Sequence, residues 1–163
     1  MTSRSVHIAG AVAYVPLTQG KEALISSADA DFIGQWIWCY NSRGYAYRKA
    51  RKGSRQVTLY LHRVLLDAPD GTVVDHINGD GLDNRRLNLR FCTHAQNMVN
   101  RKLNINNSSG FKGVVWHKPR RKFIAQIQCG GKRIHLGYYL TAELAHKAYL
   151  AASAELHGQF ARN

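Results

Sequence analysis

Acidic side chains are scarce in this chain: 10 Asp and Glu stand against 23 Lys and Arg, for a net charge of +13 over 163 residues. The imbalance favours a polyanionic partner, because each neutralised phosphate releases condensed counterions. A basic enzyme or a membrane-surface protein can share such a charge, so charge alone does not choose between them. Cysteine is also sparse. Cys39, Cys92 and Cys129 are odd in number and far apart, which excludes the paired spacing of a zinc knuckle and a disulfide framework. Three reduced thiols in a cytosolic protein are expected. No run approaches the roughly 18 apolar residues of a membrane span. The opening "MTSRSVHIAGAVAYVPL" lacks the long apolar core of a signal peptide.

What is present is enough for one domain or two small ones with modest cores. Up to about Asp70 the chain reads as short strands, "AVAYVPL", "KEALIS", "WIWCYN", "GYAYRKA" and "QVTLYLH", with a short capped helix in "SSADADFIGQ". In the last third, "KFIAQIQC" and "KRIHLGYY" are strand-like runs joined by Gly130-Gly131, a hairpin turn. "TAELAHKAYLAASAELHG" then reads as a helix capped by Thr141, with Glu143 in its first turn and Gly158 at its end. Leu144, Ala145, Ala148, Tyr149, Ala152 and Leu156 recur at helical spacing, and Leu144 and Tyr149 are expected in the core. "NRKLNINNSSG", rich in Asn and Ser, reads as a linker.

The few acids are not spread evenly. Asp67, Asp70, Asp75, Asp80 and Asp83 cluster together, whereas Asn84 to Ala142 holds no acid and twelve Lys or Arg. An acidic site beside a long positive track is the implied arrangement. Around that cluster, "VVDH" reads as a strand, "INGDGLDNRR" as a polar loop, "NLRFCT" as a returning strand and "HAQNMVNR" as a helix. A calcium loop fails on spacing, since the second position after Asp75 is Ile77 and no Glu closes the loop.

The stretch "VDHINGDGLDNRRLNLRFCTHAQNMVNR" resembles the HNH endonuclease motif of the ββα-metal type, and more closely its phage and intron homing relatives. Asp75-His76, Asp83-Asn84-Arg85, Asn88-Leu89-Arg90 and Asn97 carry the resemblance. By that resemblance Asp75 and Asn97 would hold one divalent cation, Mg²⁺ or Mn²⁺. His76 would be the general base, and Asn88 would brace the loop of the catalytic motif. Asn97 stands where the family name has His, and an oxygen ligand suits a hard cation better than zinc. Arg85, Arg86 and Arg90 are candidates to clamp flanking phosphates, and Asp80 and Asp83 read as loop chemistry. His62, in "YLHRVLL", recurs upstream of such sites; ordering the core is its expected role, with a phosphate contact as the alternative.

The segment from "GFKGV" through "KFIAQI", "HLGYY" and "TAELAHKAY" to "LHGQFARN" resembles an AP2 DNA-binding domain. The resemblance implies a three-stranded sheet lying in the major groove with a helix packed behind it. Carried over, the groove-facing candidates are Lys112, His117, Lys118, Arg120, Gln128, Arg133 and His135. Val115 and Gln128 stand where plant relatives carry Arg, and His135 where they carry Trp. Gln prefers adenine where Arg reads guanine, so the base preference is expected to differ. On the leader, Arg48, Lys49, Arg51 and Lys52 can extend the DNA track.

Together these readings predict an α+β protein in three parts. A nuclease domain with a β-rich leader occupies 1–101, a linker 102–110 and an AP2-type domain, a small antiparallel sheet on one helix, 111–163. The expected activity is metal-dependent hydrolysis of phosphodiester bonds in double-stranded DNA. A non-catalytic, transcription-factor-like DNA binder is the alternative. A monomer without membrane association is expected, with a dimer as the alternative. The expected location is the cytoplasm, nucleoid-associated or phage-encoded in a bacterial host.

Overall fold

Alternation with a period of two writes the first sheet. β1 (His7–Ala9), β2 (Val12–Pro16) and β3 (Glu22–Ser26) pair antiparallel in that order. Ala13 and Val15 on β2, and Ala23 and Ile25 on β3, fall on one face and are buried. The computed structural model describes residues 5–100, 103 and 107–161, and the chain divides into two compact units, Met1–Thr93 and His94–Asn163.

In the first unit a short helix, α1 (Ala30–Gly34), follows β3. Of the run "WIWCYN" only β4 (Cys39–Tyr40) is extended. The reason is Trp38, whose ring is buried and whose Nε1 donates to the Ile33 carbonyl at 3.0 Å, tying the segment back to α1. β5 (Ala46–Lys52) and β6 (Arg55–Tyr60) complete a second antiparallel sheet, in the order β4-β5-β6. The strand expected to run through "QVTLYLH" stops at Tyr60, because Leu61 and Leu65 of α2 (Leu61–Leu65), four residues apart, are both buried at helical spacing. β7 (Val73–His76) then pairs with β8 (Leu89–Cys92), setting Asp75 opposite Arg90 and His76 opposite Leu89. One core holds these elements: Ala13, Val15, Ile25, Ile33, Trp38, Leu61, Leu65 and Leu89 are buried together, and Val74 and Leu82 pack against them.

The second unit begins with α3 (His94–Asn100), ahead of the expected linker, part of which lies outside the described residues. Residues 107–110 make a side-chain-locked turn, in which the Ser109 hydroxyl bonds to Asn107 Oδ1 and the Val114 carbonyl, each at 2.8 Å. β9 (Val114–His117), β10 (Lys122–Cys129) and β11 (Lys132–Tyr139) form an antiparallel sheet with β10 in the centre. α4 (Ala142–His157) packs on it, capped by Thr141, whose hydroxyl accepts from the Leu144 N–H at 3.3 Å. Leu144 itself does not join the core: it is 46% exposed, and Leu156 is 40% exposed. The buried line is Ala142, Ala145, Tyr149 and Ser153, small residues beside one ring, which brings the helix close to the sheet. Gly113 marks how close, since a Cβ there would lie 2.0 Å from the Tyr149 ring. No helix among the described residues is long and apolar enough to cross a membrane.

Candidate active site

Asp75 and His76 are the last two residues of β7, and both are buried, each 5% exposed. The loop between β7 and β8 is held by its own polar side chains. Asn88 Nδ2 donates to the Asp83 carbonyl at 2.7 Å and to Asn78 Oδ1 at 3.0 Å, while its Oδ1 accepts from the Asn78 N–H at 3.0 Å. Asp83 accepts from Arg85 at 2.7 and 2.8 Å and from Asn78 Nδ2 at 2.8 Å. The Arg85 bond holds the Asp83 carboxyl below its usual pKa. Asp80 Oδ1 accepts from the Leu82 N–H at 3.0 Å, an Asx-type turn contact. Gly81 lets the loop close on the rest of the unit, since a Cβ there would fall 2.4 Å from the Gly44 carbonyl oxygen and 2.7 Å from the Tyr45 ring.

Asn84, fully buried, connects this loop to the base. Its Oδ1 lies 3.2 Å from His76 Nε2. On another side His76 meets rings: His62 stands edge-on at 5.1 Å between centroids and Tyr45 lies at 5.9 Å, with Tyr60 stacked on His62 at 5.6 Å. Burial lowers the His76 pKa, a shift opposed by the Asn84 bond and by Asp75, Asp80 and Asp83. Burial also lowers His62, to about 3, with His76 and Arg63 adding to the shift. Both shifts favour the neutral ring, and a neutral imidazole can take a proton.

Asp75 Oδ2 accepts from Arg90 Nε at 2.9 Å and from Arg90 Nη2 at 2.8 Å. Arg90 thus faces inward, its side chain 13% exposed, whereas Arg85 is 45% exposed beside Asp83. Arg86 holds Asp29 at 2.7 Å and ties the loop to the turn that leads into α1. Asn97 lies on α3, in the second unit. Among the described residues no three His, Cys, Asp or Glu side chains cluster as a metal site; the expected donor pair of one carboxylate and one amide is of a different kind.

In the second unit, strand alternation turns Val115, His117, Ile124, Gln126, Gln128, Arg133, His135 and Tyr138 away from α4. A bulge at Ala125/Gln126 keeps Arg133 and His135 on that face while Leu136 packs in the core. Tyr138 organises it: His135 lies 4.7 Å away, His117 5.3 Å, and the Arg120 guanidinium covers its ring at 4.6 Å. Lys118 is exposed in the turn after β9. Lys112 is drawn elsewhere, its ammonium donating to the Val99 carbonyl on α3. Sequence reasoning placed Asn84 in the motif without giving it a role, and it missed Tyr138. An Asn in a polar loop carries no mark that separates a buried amide from a turn residue, but the alternation in "HLGYY" does mark one Tyr as outward.

Comparison with known proteins agrees with this reading of the β7–β8 region. The profile of the HNH endonuclease family matches residues 67–99. Protein 3.8 of Escherichia phage T7 is 35% identical over 94 residues, covering 58% of this chain and 77% of the relative. An uncharacterized HNH endonuclease, L560, of Acanthamoeba polyphaga mimivirus is 26% identical over 145 residues, covering 88% of this chain and 74% of the relative. No solved structure matches the chain. The matched span begins ahead of β7 and ends within α3, so it contains Asp75, His76, Asn84, Asn88 and Asn97, and the chain belongs to the HNH endonuclease family.

Proposed function

We propose that the chain is a metal-dependent endonuclease that hydrolyses phosphodiester bonds in duplex DNA with His76 as general base, and that its second unit selects the target. The observation that supports this most is the buried His76 beside Asp75 at a strand end, next to a loop braced by Asn88. In the proposed step His76 accepts a proton from water as the water oxygen forms a bond to phosphorus. The bond from phosphorus to the leaving sugar oxygen then breaks. Neutral imidazole titrates near working pH, which suits this role.

HNH nucleases generally use a divalent metal ion. Here the donors that would hold it are the buried Asp75 carboxylate, oriented through Oδ2 by Arg90, and Asn97, assigned by resemblance. Two oxygen donors fit a hard cation, Mg²⁺ or Mn²⁺, in kind. When bound, the ion would supply neutralisation of phosphate charge and stabilisation of the leaving oxygen. Arg85 stands exposed beside the site to meet a flanking phosphate. The β5–β6 ribbon adds exposed Lys49, Arg51, Lys52 and Arg55; Arg48 is excluded from that track, because its guanidinium packs over Trp36 at 4.4 Å. In the AP2-like reading of the second unit, Gln128, Arg133, His135, His117 and Arg120 form the groove-facing set, joined by Tyr138.

Incubating the protein with supercoiled plasmid, with Mg²⁺ or with EDTA, tests the reading. Wild type should cut only with the metal, and His76→Ala should bind DNA without cutting. Cleavage by His76→Ala at the wild-type rate would remove the general-base assignment.

A further inference from the structure

Several arginines of this chain have their guanidinium donors engaged within the protein. Arg85, Arg86 and Arg90 bond to the carboxylates of Asp83, Asp29 and Asp75, and Arg63 donates to the carbonyls of Ala68, Pro69 and Thr72. Arg120 is held differently. Its guanidinium lies over the Tyr138 ring, 4.6 Å from the centroid, and no oxygen among the described residues accepts from it. The acids of the second unit, Glu143 and Glu155, are both on α4, behind the sheet, whereas Tyr138 faces the other way. A π face attracts a guanidinium without consuming a donor, so the N–H groups of Arg120 stay free for a ligand. The seat is itself well supported. Tyr138 pairs with Ile124 of the central strand, and His135 and His117 lie against its ring, 4.7 and 5.3 Å between centroids. The backbone of Arg120 is fixed as well. Its N–H donates to His117 Nδ1 at 3.2 Å, and the Arg121 N–H closes the turn on the Lys118 carbonyl at 3.2 Å.

We propose that Tyr138 is a positioning residue that seats the Arg120 guanidinium on the outward face of the β9–β11 sheet, where Arg120 reads a guanine. The proposal rests on the reading that the second unit binds duplex DNA by that face. It adds which side chain reads a base and what holds it in place. Two parallel N–H donors of a guanidinium match the O6 and N7 acceptors that guanine shows in the major groove. Phosphate oxygens offer a similar acceptor pair, but the position of Arg120 favours the base. Its side chain leaves the turn between β9 and β10 and is drawn back over the sheet face to a ring on β11, rather than out past the end of the sheet. The seat also sharpens the choice of base. An unrestrained Arg can swing to a neighbouring base or phosphate when guanine is absent, whereas a seated one cannot follow. Ordering the side chain before binding removes part of the entropy cost that binding would otherwise meet.

The test uses the full chain in EDTA and fluorescently labelled duplexes, read by anisotropy. One duplex is enriched from a random-sequence pool by the wild-type protein, and the others are its single-base-pair variants. Arg120→Ala should erase the preference at one G·C pair, where wild type discriminates about 5- to 150-fold. Tyr138→Ala should weaken the preference at that same pair by about 2- to 5-fold, the usual effect of an exposed cation–π contact, and Tyr138→Phe should keep it. Added to Arg120→Ala, Tyr138→Ala should change nothing further at that pair. A loss through Arg120→Ala that is equal on every duplex places the guanidinium on phosphate and overturns the proposal. Additive losses in the double variant also overturn it, since Tyr138 would then be a DNA contact in its own right. Arg120 is exposed in a turn, so Arg120→Ala alone keeps the proposal refutable if Tyr138→Ala does not fold. Arg133→Ala, on the same face, separates the two readings. If it alters binding and Arg120→Ala does not, the proposal alone falls; if neither alters binding, the second unit does not use this face for DNA and both fall.

Discussion

His62 makes acid stability a sharp test of the packing around the site. Its ring lies edge-on to His76, and its Nδ1 is buried with no hydrogen-bond partner among the described residues. Burial chiefly, then His76 and Arg63, takes its pKa from 6.5 to about 3. Above pH 6.5 the ring is neutral in both the folded and the unfolded chain, so it contributes no pH dependence there. Below that value the unfolded chain binds a proton that the folded chain refuses. Stability therefore falls as the pH drops, and the fall ends near the folded value. One unit of pKa difference is about 1.4 kcal/mol, so acidification to pH 5 removes about 2 kcal/mol through His62 alone. His62→Phe keeps a ring among Tyr45, Tyr60 and His76 but removes the titrating group. Urea unfolding followed by tryptophan fluorescence reads the relevant core, since Trp38 lies inside it and Trp36 packs against it. Between pH 7.5 and 5, wild type should lose about 2 kcal/mol relative to His62→Phe. Parallel stability profiles for the two proteins, or a His62 that titrates near 6.5 in the folded state, would refute the reasoning.

The same burial acts on the base itself. Because the His76 pKa is lowered, the acid limb of kcat/KM should fall below the ordinary histidine value of about 6.5, leaving the rate flat through neutral pH; a limb at or above that value in a pH–rate profile would contradict the assignment. Asn88→Ala leaves the Asn78 N–H and the Asp83 carbonyl without a side-chain partner, and should cost about 2–3 kcal/mol in denaturant unfolding along with most cleavage. Arg133→Ala should weaken binding to the preferred duplex by about 1–3 kcal/mol and relax the base preference, measured by fluorescence anisotropy on a panel of duplex sequences. An equal loss on every sequence would place Arg133 on the phosphates and not in the groove-facing set.

Local chemistry was legible in the residues alone. The alternation in "AVAYVPL" and "KEALIS" has one reading as a one-sided sheet, because successive side chains on a strand point oppositely. Thr141 and Gly158 bound α4 for reasons internal to a helix end. Asp75-His76 with Asn88 and Asn97 at their spacing carried the HNH resemblance, and the family comparison agrees. Contacts between residues far apart in sequence were not legible. Leu144 keeps helical spacing with the apolar residues yet is exposed, since which stripe of a helix faces the sheet depends on how closely Gly113 lets Tyr149 approach. Arg90 looks like a phosphate clamp in sequence, and only the β7–β8 register sets it against Asp75. Arg48 sits in a basic run, but its position in the second sheet lays it over Trp36. Asn84 is one of many loop asparagines until β3 pins its backbone and the loop carbonyls orient its amide. Composition and short-range pattern determine which groups are available and which elements form. The His76 ring meets an amide eight residues away whose backbone is held by a strand sixty residues away, and only the folded chain brings the three together.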